Sequence, residues 1–480
     1  MNQAGSHMIR KASVNFQYNG NTDGLAIRQE VSEWCRNILG PSFGSILAEY
    51  DLIEDVILID RISLDIDLGR TDDWKKELTE NIINQLKEKI HSKISLKEGD
   101  VIVESVSASF SDTLLYYLKF GFLPWHANFI TRDDFETELE SWVKKASSPE
   151  IKNLLQILPD DKSVRRLVSL LSQQEFETLM AAAIDETGAK IASFFDEAKF
   201  IIEIIIKDKS LQESLLRDIK ERVVAGFQTK QPAGLLQSIF AEWLYGIGEK
   251  YPSWFIKVEL MASINPEIQN IIRQIQHKII KKSTLNRGII SDRQEKTRPG
   301  SDKKAAVTEN ELNKELSEGV FISNAGTVII APFLTTLYTR AGILTDNMIT
   351  DESTALSLVH YSTSGLTNPA EFELLLPKIL CGIDPVAVME ILPLTNDKLI
   401  NEADDMLASV IEYWKVLKDT SADGLREAFL QRNGKLSLVE NEWLLIVEQK
   451  PYDMLLEQLP WNINMIKLPW MKNIIRTQWF

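Results

Sequence analysis

The stretch Lys435-Leu436-Ser437-Leu438-Val439-Glu440-Asn441-Glu442-Trp443-Leu444-Leu445-Ile446-Val447 decides the fold class. Apolar and polar residues alternate over 435–439 and 443–447 around Glu440-Asn441, a pattern that predicts a β-hairpin. Helical spacing dominates before it, so the chain reads as α+β and predominantly helical. The hairpin closes a mostly helical C-terminal domain, expected over 313–480.

Downstream, residues 451–459 predict a short helix that runs into Leu459-Pro460-Trp461 and Leu468-Pro469-Trp470. A third copy of the triplet stands at Leu123-Pro124-Trp125. Proline fixes φ, removes a backbone donor and pushes the preceding residue toward extended geometry. Each Leu-Pro pair therefore stops a helix and aims an indole, a large apolar surface with one N–H donor. The triplets point to docking or packing, because nothing in them makes or breaks a covalent bond. Trp125, Trp461, Trp470 and Trp479, with Phe122 and Phe480, are the candidate partner-docking residues. The competing reading is that they seal domain ends, and for Trp461 the core is favoured.

Upstream of the hairpin, helices are expected at 332–341, 353–361, 371–380, 385–391, 396–414 and 425–430, with Asn433-Gly434 ending the last. The charge-free run from Gly319 to Thr339 is long enough to span a bilayer. It contains Ser323, Asn324, Gly326, Thr327 and Pro332, so a strand at 327–330 leading into a helix near Pro332 is the expectation, with no membrane insertion. Residues 283–312 carry Arg287, Arg293, Lys296, Arg298, Lys303 and Lys304 among small and polar residues and read as a flexible basic linker. Before it, 131–282 predicts a middle region of helical hairpins punctuated by Ser147-Ser148-Pro149, Pro159-Asp160-Asp161, Thr187-Gly188, Gln231-Pro232 and Tyr251-Pro252.

The first 130 residues predict a small α/β domain. Ala12, Val14, Phe16 and Tyr18 alternate, as do Ile62, Leu64, Ile66 and Leu68, giving two half-buried strands. Helices are expected at 26–39 and 74–94, and a third strand near 101–106.

At 480 residues with 44% hydrophobic side chains, the chain can bury real cores. A formal net charge of −16 repels nucleic acid, and none is expected as a partner. No positively charged start followed by an apolar run announces a secretion signal. The two cysteines, Cys35 and Cys381, lie far apart in apolar-patterned segments and read as buried reduced thiols. The five histidines show no pairing at ligand spacing, so no metal or cofactor is expected. The acidic run from Asp65 to Asp72 misplaces the glycine and twelfth ligand of a calcium loop. Gly40-Pro41-Ser42-Phe43-Gly44 matches Gly-x-Ser-x-Gly but follows a helix, where a nucleophile elbow needs a strand, so it reads as a helix stop and turn. His360-Tyr361-Ser362 lacks an ordered triad, and His360 reads as a polar cap at a helix end. No catalytic residue emerges.

Several stretches together resemble one family. They are His7-Met8-Ile9-Arg10-Lys11, Ile59-Asp60-Arg61-Ile62-Ser63-Leu64-Asp65-Ile66-Asp67-Leu68-Gly69 and Leu118-Lys119-Phe120-Gly121-Phe122-Leu123-Pro124-Trp125. In the second half they are Phe321-Ile322-Ser323-Asn324-Ala325-Gly326, Leu374-Leu375-Leu376-Pro377-Lys378-Ile379-Leu380-Cys381-Gly382, and the closing run through Leu468-Pro469-Trp470-Met471. The order is similar to that of the tape measure proteins of contractile injection systems, over most of the two end domains and weakly in the middle. The resemblance implies a non-enzymatic component of a phage-tail-like particle that sets tube length during assembly. It implies tube, baseplate or other particle subunits as partners, with self-association through the terminal aromatics as a further expectation. It also implies a cytoplasmic location during assembly and then a place in the assembled, released particle. An assembly scaffold, chaperone or adaptor absent from the mature particle is the alternative.

Overall fold

The computed structural model describes residues 9, 12–17, 24–50, 56–59, 61–67, 73–96, 101–104, 106–127, 131–229, 234–251, 269–277, 302–389, 391, 393–417 and 420–479. Two compact units divide the chain: Met1–Thr113 with Trp125–Phe129, and Leu114–Pro124 with Ile130–Phe480.

In the first unit, α1 (Gly24–Trp34) passes through a π turn at Cys35–Leu39 into α2 (Gly40–Leu47). The helix stop expected at Gly40 is a correction. Gly40 has right-handed φ and ψ, and Pro41 sits in the first turn of α2, where no intrahelical N–H is required of it. The paired strands are β1 (Val56–Ile59) and β2 (Val101–Glu104), antiparallel, with Ile57 opposite Val103. Residues 12–17 and 61–67, expected as strands, join no ladder. Their alternation is nevertheless physical: Leu64 and Ile66 pack with Phe16 on a small core of Trp34, Leu39, Leu78 and Ile82. Leu78 and Ile82 come from α3 (Trp74–Leu96). The Trp34 indole donates to Thr79 Oγ1 at 3.0 Å, and Trp74 meets its ring edge-on at 5.6 Å. α4 (Val106–Phe120) follows.

The second unit begins its helical region with α5 (Arg132–Lys145), α6 (Ser148–Ile157), α7 (Asp161–Leu170) and α8 (Gln173–Ile184). Each is started by a side-chain cap on orphan backbone N–H groups, from Thr131, Ser147, Asp160 and Ser172 in turn. α9 (Gly188–Ile205), α10 (Lys209–Thr229) and α11 (Leu235–Lys250) complete the hairpins, and α12 occupies 269–277. Close approach of α10 and α11 depends on Gly226, where a Cβ would lie 2.4 Å from Ile239 Cδ1.

Of the stretch expected as a linker, 283–301 lies outside the described residues, and Asp302–Glu318 is helix α13, a correction over 302–312. After β3 (Val320–Ile322), residues Ala325–Phe333 form a 3-10 helix where a strand was expected. It is enclosed rather than paired: Ala325 through Ala331 are all buried, and a Cβ on Gly326 would sit 1.7 Å from the Phe429 carbonyl oxygen. Burial on every side explains its lack of charge. Among the described residues, no helix is long and apolar enough to cross a membrane.

Then come α14 (Leu334–Ala341), a small hairpin of β4 (Leu344–Thr345) and β5 (Met348–Ile349), α15 (Glu352–Ser364), a 3-10 turn at Glu371–Glu373, and α16 (Leu375–Leu380). Residues 385–391 were expected as helix and form none among those described. α17 (Asp397–Tyr413) and α18 (Ala422–Leu425) lead through a π turn at Arg426–Leu430 to the predicted hairpin. Its strands are β6 (Gly434–Val439) and β7 (Glu442–Val447), and Glu440 and Asn441 have φ of 49° and 66°, as a type I′ turn requires. With β8 (Met465–Ile466) and β9 (Ile475–Gln478) they form a five-stranded sheet, order β3-β6-β7-β9-β8, in which only the β7–β9 pairing is parallel. The inward row Leu438, Trp443 and Ile475 is in register and joins the main core.

Candidate functional site

The proline-aimed indoles are sockets in the fold. Trp470 donates from Nε1 to the Leu380 carbonyl at 2.8 Å and lies against Tyr338, with ring centroids 5.4 Å apart. Gly382, at φ +73°, permits this, since a Cβ there would be 2.4 Å from the Trp470 carbonyl oxygen. Trp461 donates to the Ile329 carbonyl at 3.0 Å and stands edge-on to Phe333. It is half-buried, in keeping with the core reading, and partly packs the main core.

For Phe122, Trp470 and Trp479 the docking expectation is corrected by burial. Their exposures are 1%, 8% and 1%, so their apolar surface is already spent within the chain. Trp125 is half-buried in a 3-10 turn of the first unit, edge-on to His126. Phe480 lies outside the described residues.

Trp479 completes a buried charge site. Its indole donates to Asp453 Oδ2 at 3.0 Å, and Arg432 grips the same carboxylate bidentately at 2.9 and 3.0 Å. The guanidinium also donates to the carbonyls of Ala428 and Glu448 and lies over the rings of Tyr452 and Trp479. The closing strand β9 is thereby tied to the turn before the hairpin.

A second buried site joins the end of α4, α7 and α16. Arg166, on α7 with its side chain fully buried, gives Nε to Glu371 Oε1 at 3.2 Å, Nη1 to the carbonyls of Leu118 and Lys119 at 3.0 Å each, and Nη2 to the Val386 carbonyl at 2.7 Å. Lys378 reaches the same Glu371 oxygen at 3.0 Å and the Ala387 carbonyl at 2.8 Å. Burial lowers the pKa of Lys378, opposed by Glu371. Burial also pushes the Tyr117 phenol well up, and the Glu371 carboxylate beside it adds to this. Two cations share one carboxylate, so the remaining donors need carbonyl oxygens. The described residues of 385–391 are accordingly not helical: a helix would use the carbonyls of Val386 and Ala387 internally. Gly121, at φ +81°, brings the chain within reach, since a Cβ would be 2.8 Å from Arg166 Nη2.

The sequence reading missed Arg166, Lys378, Arg432 and Asp453. One signal was present, the lone lysine in Leu374-Leu375-Leu376-Pro377-Lys378-Ile379-Leu380, since a single charge inside an apolar run is buried only with partners.

These arrangements fix the chain and offer little chemistry. Cys381 is buried against the Tyr338 hydroxyl at 3.2 Å, and burial pushes its thiol up to about 12, away from reactivity. Cys35 is half-buried. Among the described residues no group of His, Cys, Asp and Glu is disposed to hold a metal ion. His360, expected as a helix-end cap, is buried within α15.

A family model, contractile injection system tape measure protein, matches residues 6–479. The chain belongs to this family. Comparison with curated proteins and with solved structures gives no match. Tape measure proteins are structural components, in accord with buried sites that immobilise chain segments, and the family implies association with tube components of the particle.

Proposed function

We propose that this tape measure protein sets tube length during assembly of a contractile injection particle, with the C-terminal fold as an anchored end and the helical middle as the part whose length is read. The Arg166 site carries this reading. It binds the root of the middle, at α7, to Glu371 and the carbonyls beside α16, so a pull on the later helices ends on a fixed point. Removing one partner of such a buried cluster costs on the order of 3–5 kcal/mol.

Among the described residues of the middle, the longest helix, α10, has 21 residues, or roughly 32 Å at the rise of an α-helix. Drawn out as one helix, residues 167–282, beyond the anchor, would span about 174 Å. Length setting therefore requires the hairpins to open while the anchor holds. Tube, baseplate or other particle subunits are the partners, met in the cytoplasm during assembly, and the chain stays in the particle at low copy number. The half-exposed ring of Trp461, beside Phe333 and the exposed Tyr413, is the part of the aromatic set left for docking, along with Trp125.

Packing of α5 through α11 into buried hairpins favours a second reading, a folded scaffold or chaperone that leaves before maturation. Mass spectrometry of purified particles separates the two. The chain in mature particles supports the tape measure role, and its consistent absence alongside normal tubes supports the scaffold.

A further inference from the structure

Asn433-Gly434, the pair that ends the π turn and opens β6, has chemistry of its own. Glycine has no side chain to hinder its nitrogen, so in an Asn-Gly pair that nitrogen closes readily on the asparagine side-chain amide. Asn433 is exposed, but the main chain around it is held on every side. The Asn433 carbonyl accepts from Glu448 N at 2.9 Å, which makes 433 and 448 a hydrogen-bonded pair continuing the β6–β7 register. Such pairs alternate along an antiparallel ladder. Gly434, opposite Val447, therefore turns its N–H and carbonyl the other way, to Ile322 of β3. On the preceding side, the Arg432 carbonyl accepts from Ala325 N at 2.8 Å, and the Arg432 guanidinium is fixed on Asp453. Space is short as well: a Cβ on Gly434 would lie 2.5 Å from Ala325 Cβ and 2.9 Å from the Ile446 carbonyl oxygen.

We propose that Asn433-Gly434 is a deamidation site gated by the C-terminal sheet, at which a transient opening of the fold is made permanent. While β3, β6 and β7 are paired, the Gly434 nitrogen is committed to Ile322 and cannot swing toward the Asn433 side chain. Once the strands part, that nitrogen gives its proton to solvent and attacks Asn433 Cγ. The new C–N bond closes a cyclic imide, and the side-chain nitrogen leaves as ammonia. Water then opens either imide carbonyl, giving aspartate or, with the chain routed through Cβ and Cγ, isoaspartate. The sum is one amide hydrolysed by one water, with no cofactor or oxidant.

The two products differ in consequence. Aspartate leaves the main chain unchanged and adds a charge at an exposed position. Isoaspartate adds one carbon to the main chain between a carbonyl bound to Ala325 and a glycine packed against Ala325 and Ile446. Register beyond it is set by the buried residues Leu436, Trp443 and Leu445, so the extra length cannot be passed along the strand. A chain marked in this way does not close the sheet again. The inference rests on the sheet and stands whether or not the chain sets tube length.

The test holds the full chain at pH 8, folded in buffer and opened in guanidinium chloride, and reads residue 433 by peptide mapping that separates isoaspartate from aspartate. Modification at 433 should be at least tenfold slower in the folded chain, because it waits on opening of the sheet. After the denaturant is removed, isoaspartate at 433 should be depleted at least tenfold from the refolded, protease-resistant fraction, while asparagine and aspartate at 433 are both recovered in it. Comparable rates in the folded and opened chains would overturn the gate. Isoaspartate recovered in the refolded fraction in proportion to its abundance, or aspartate lost from it as isoaspartate is, would overturn the role of the added main-chain carbon. None of these readings depends on a variant that must fold.

Discussion

Asp453 is buried with Arg432, the Trp479 indole and the Lys450 backbone N–H all donating to its carboxylate. Replacing Arg432 with Met leaves that carboxylate without its counter-charge, and about 3–5 kcal/mol of stability should be lost in urea unfolding. Trp470→Phe is a milder change: a smaller aromatic ring replaces the indole, the Leu380 carbonyl loses its donor, and the expected loss is about 1–3 kcal/mol. His360 gives a pH dependence with a defined sign. Its native pKa lies below the ordinary value, at about 4, so the unfolded chain binds the proton first as pH falls through 6.5. Its stabilising share is present above pH 6.5 and is lost progressively down to about 4, about 3 kcal/mol in all. Glu373 works oppositely, because its raised carboxyl favours the native state at low pH and that contribution fades as pH rises through its native pKa. In His360→Leu, stability measured between pH 7 and 4.5 should therefore decline less than in the native chain.

At the scale of elements, Gly326→Ala tests the enclosed 3-10 helix. The added methyl has no room beside the Phe429 carbonyl, and the C-terminal fold should lose more than the roughly 1–3 kcal/mol typical of overpacking, read as a lowered melting temperature. The hairpin at 434–447 and the capped helices α5 to α8 were legible because local signals decide them: a two-residue turn able to adopt positive φ, and cap residues preceding apolar periodicity. Strands β3, β8 and β9 were not, since they have only two to four residues and owe their pairing to contacts distant in sequence. Alternation at 61–67 reports burial faithfully without revealing whether a ladder partner exists. Of the candidate site, the indoles were legible as constrained residues, but their direction was not. Proline aims a tryptophan, and only the distant carbonyls of Leu380 and Ile329 determine that it faces inward.

For the whole molecule, a chain that reads length must combine a part that extends with a part that does not. On the proposed reading, the clamp of Arg166, Glu371 and Lys378 marks that division in the second unit, with α8 to α12 following it in the chain and the sheet-containing core as the fixed part. Arg166→Met should leave particles assembling with a broadened spread of tube lengths, because the anchor yields before the middle is fully drawn. The most direct measurement is tube length by electron microscopy in particles assembled with the middle region shortened or duplicated in frame within residues 173–229, leaving Arg166 and everything after 302 intact. Tube length should change in proportion to the residues removed or added, by about 1.5 Å per residue if the drawn middle is helical. Unchanged tube length at normal particle yield would contradict the account.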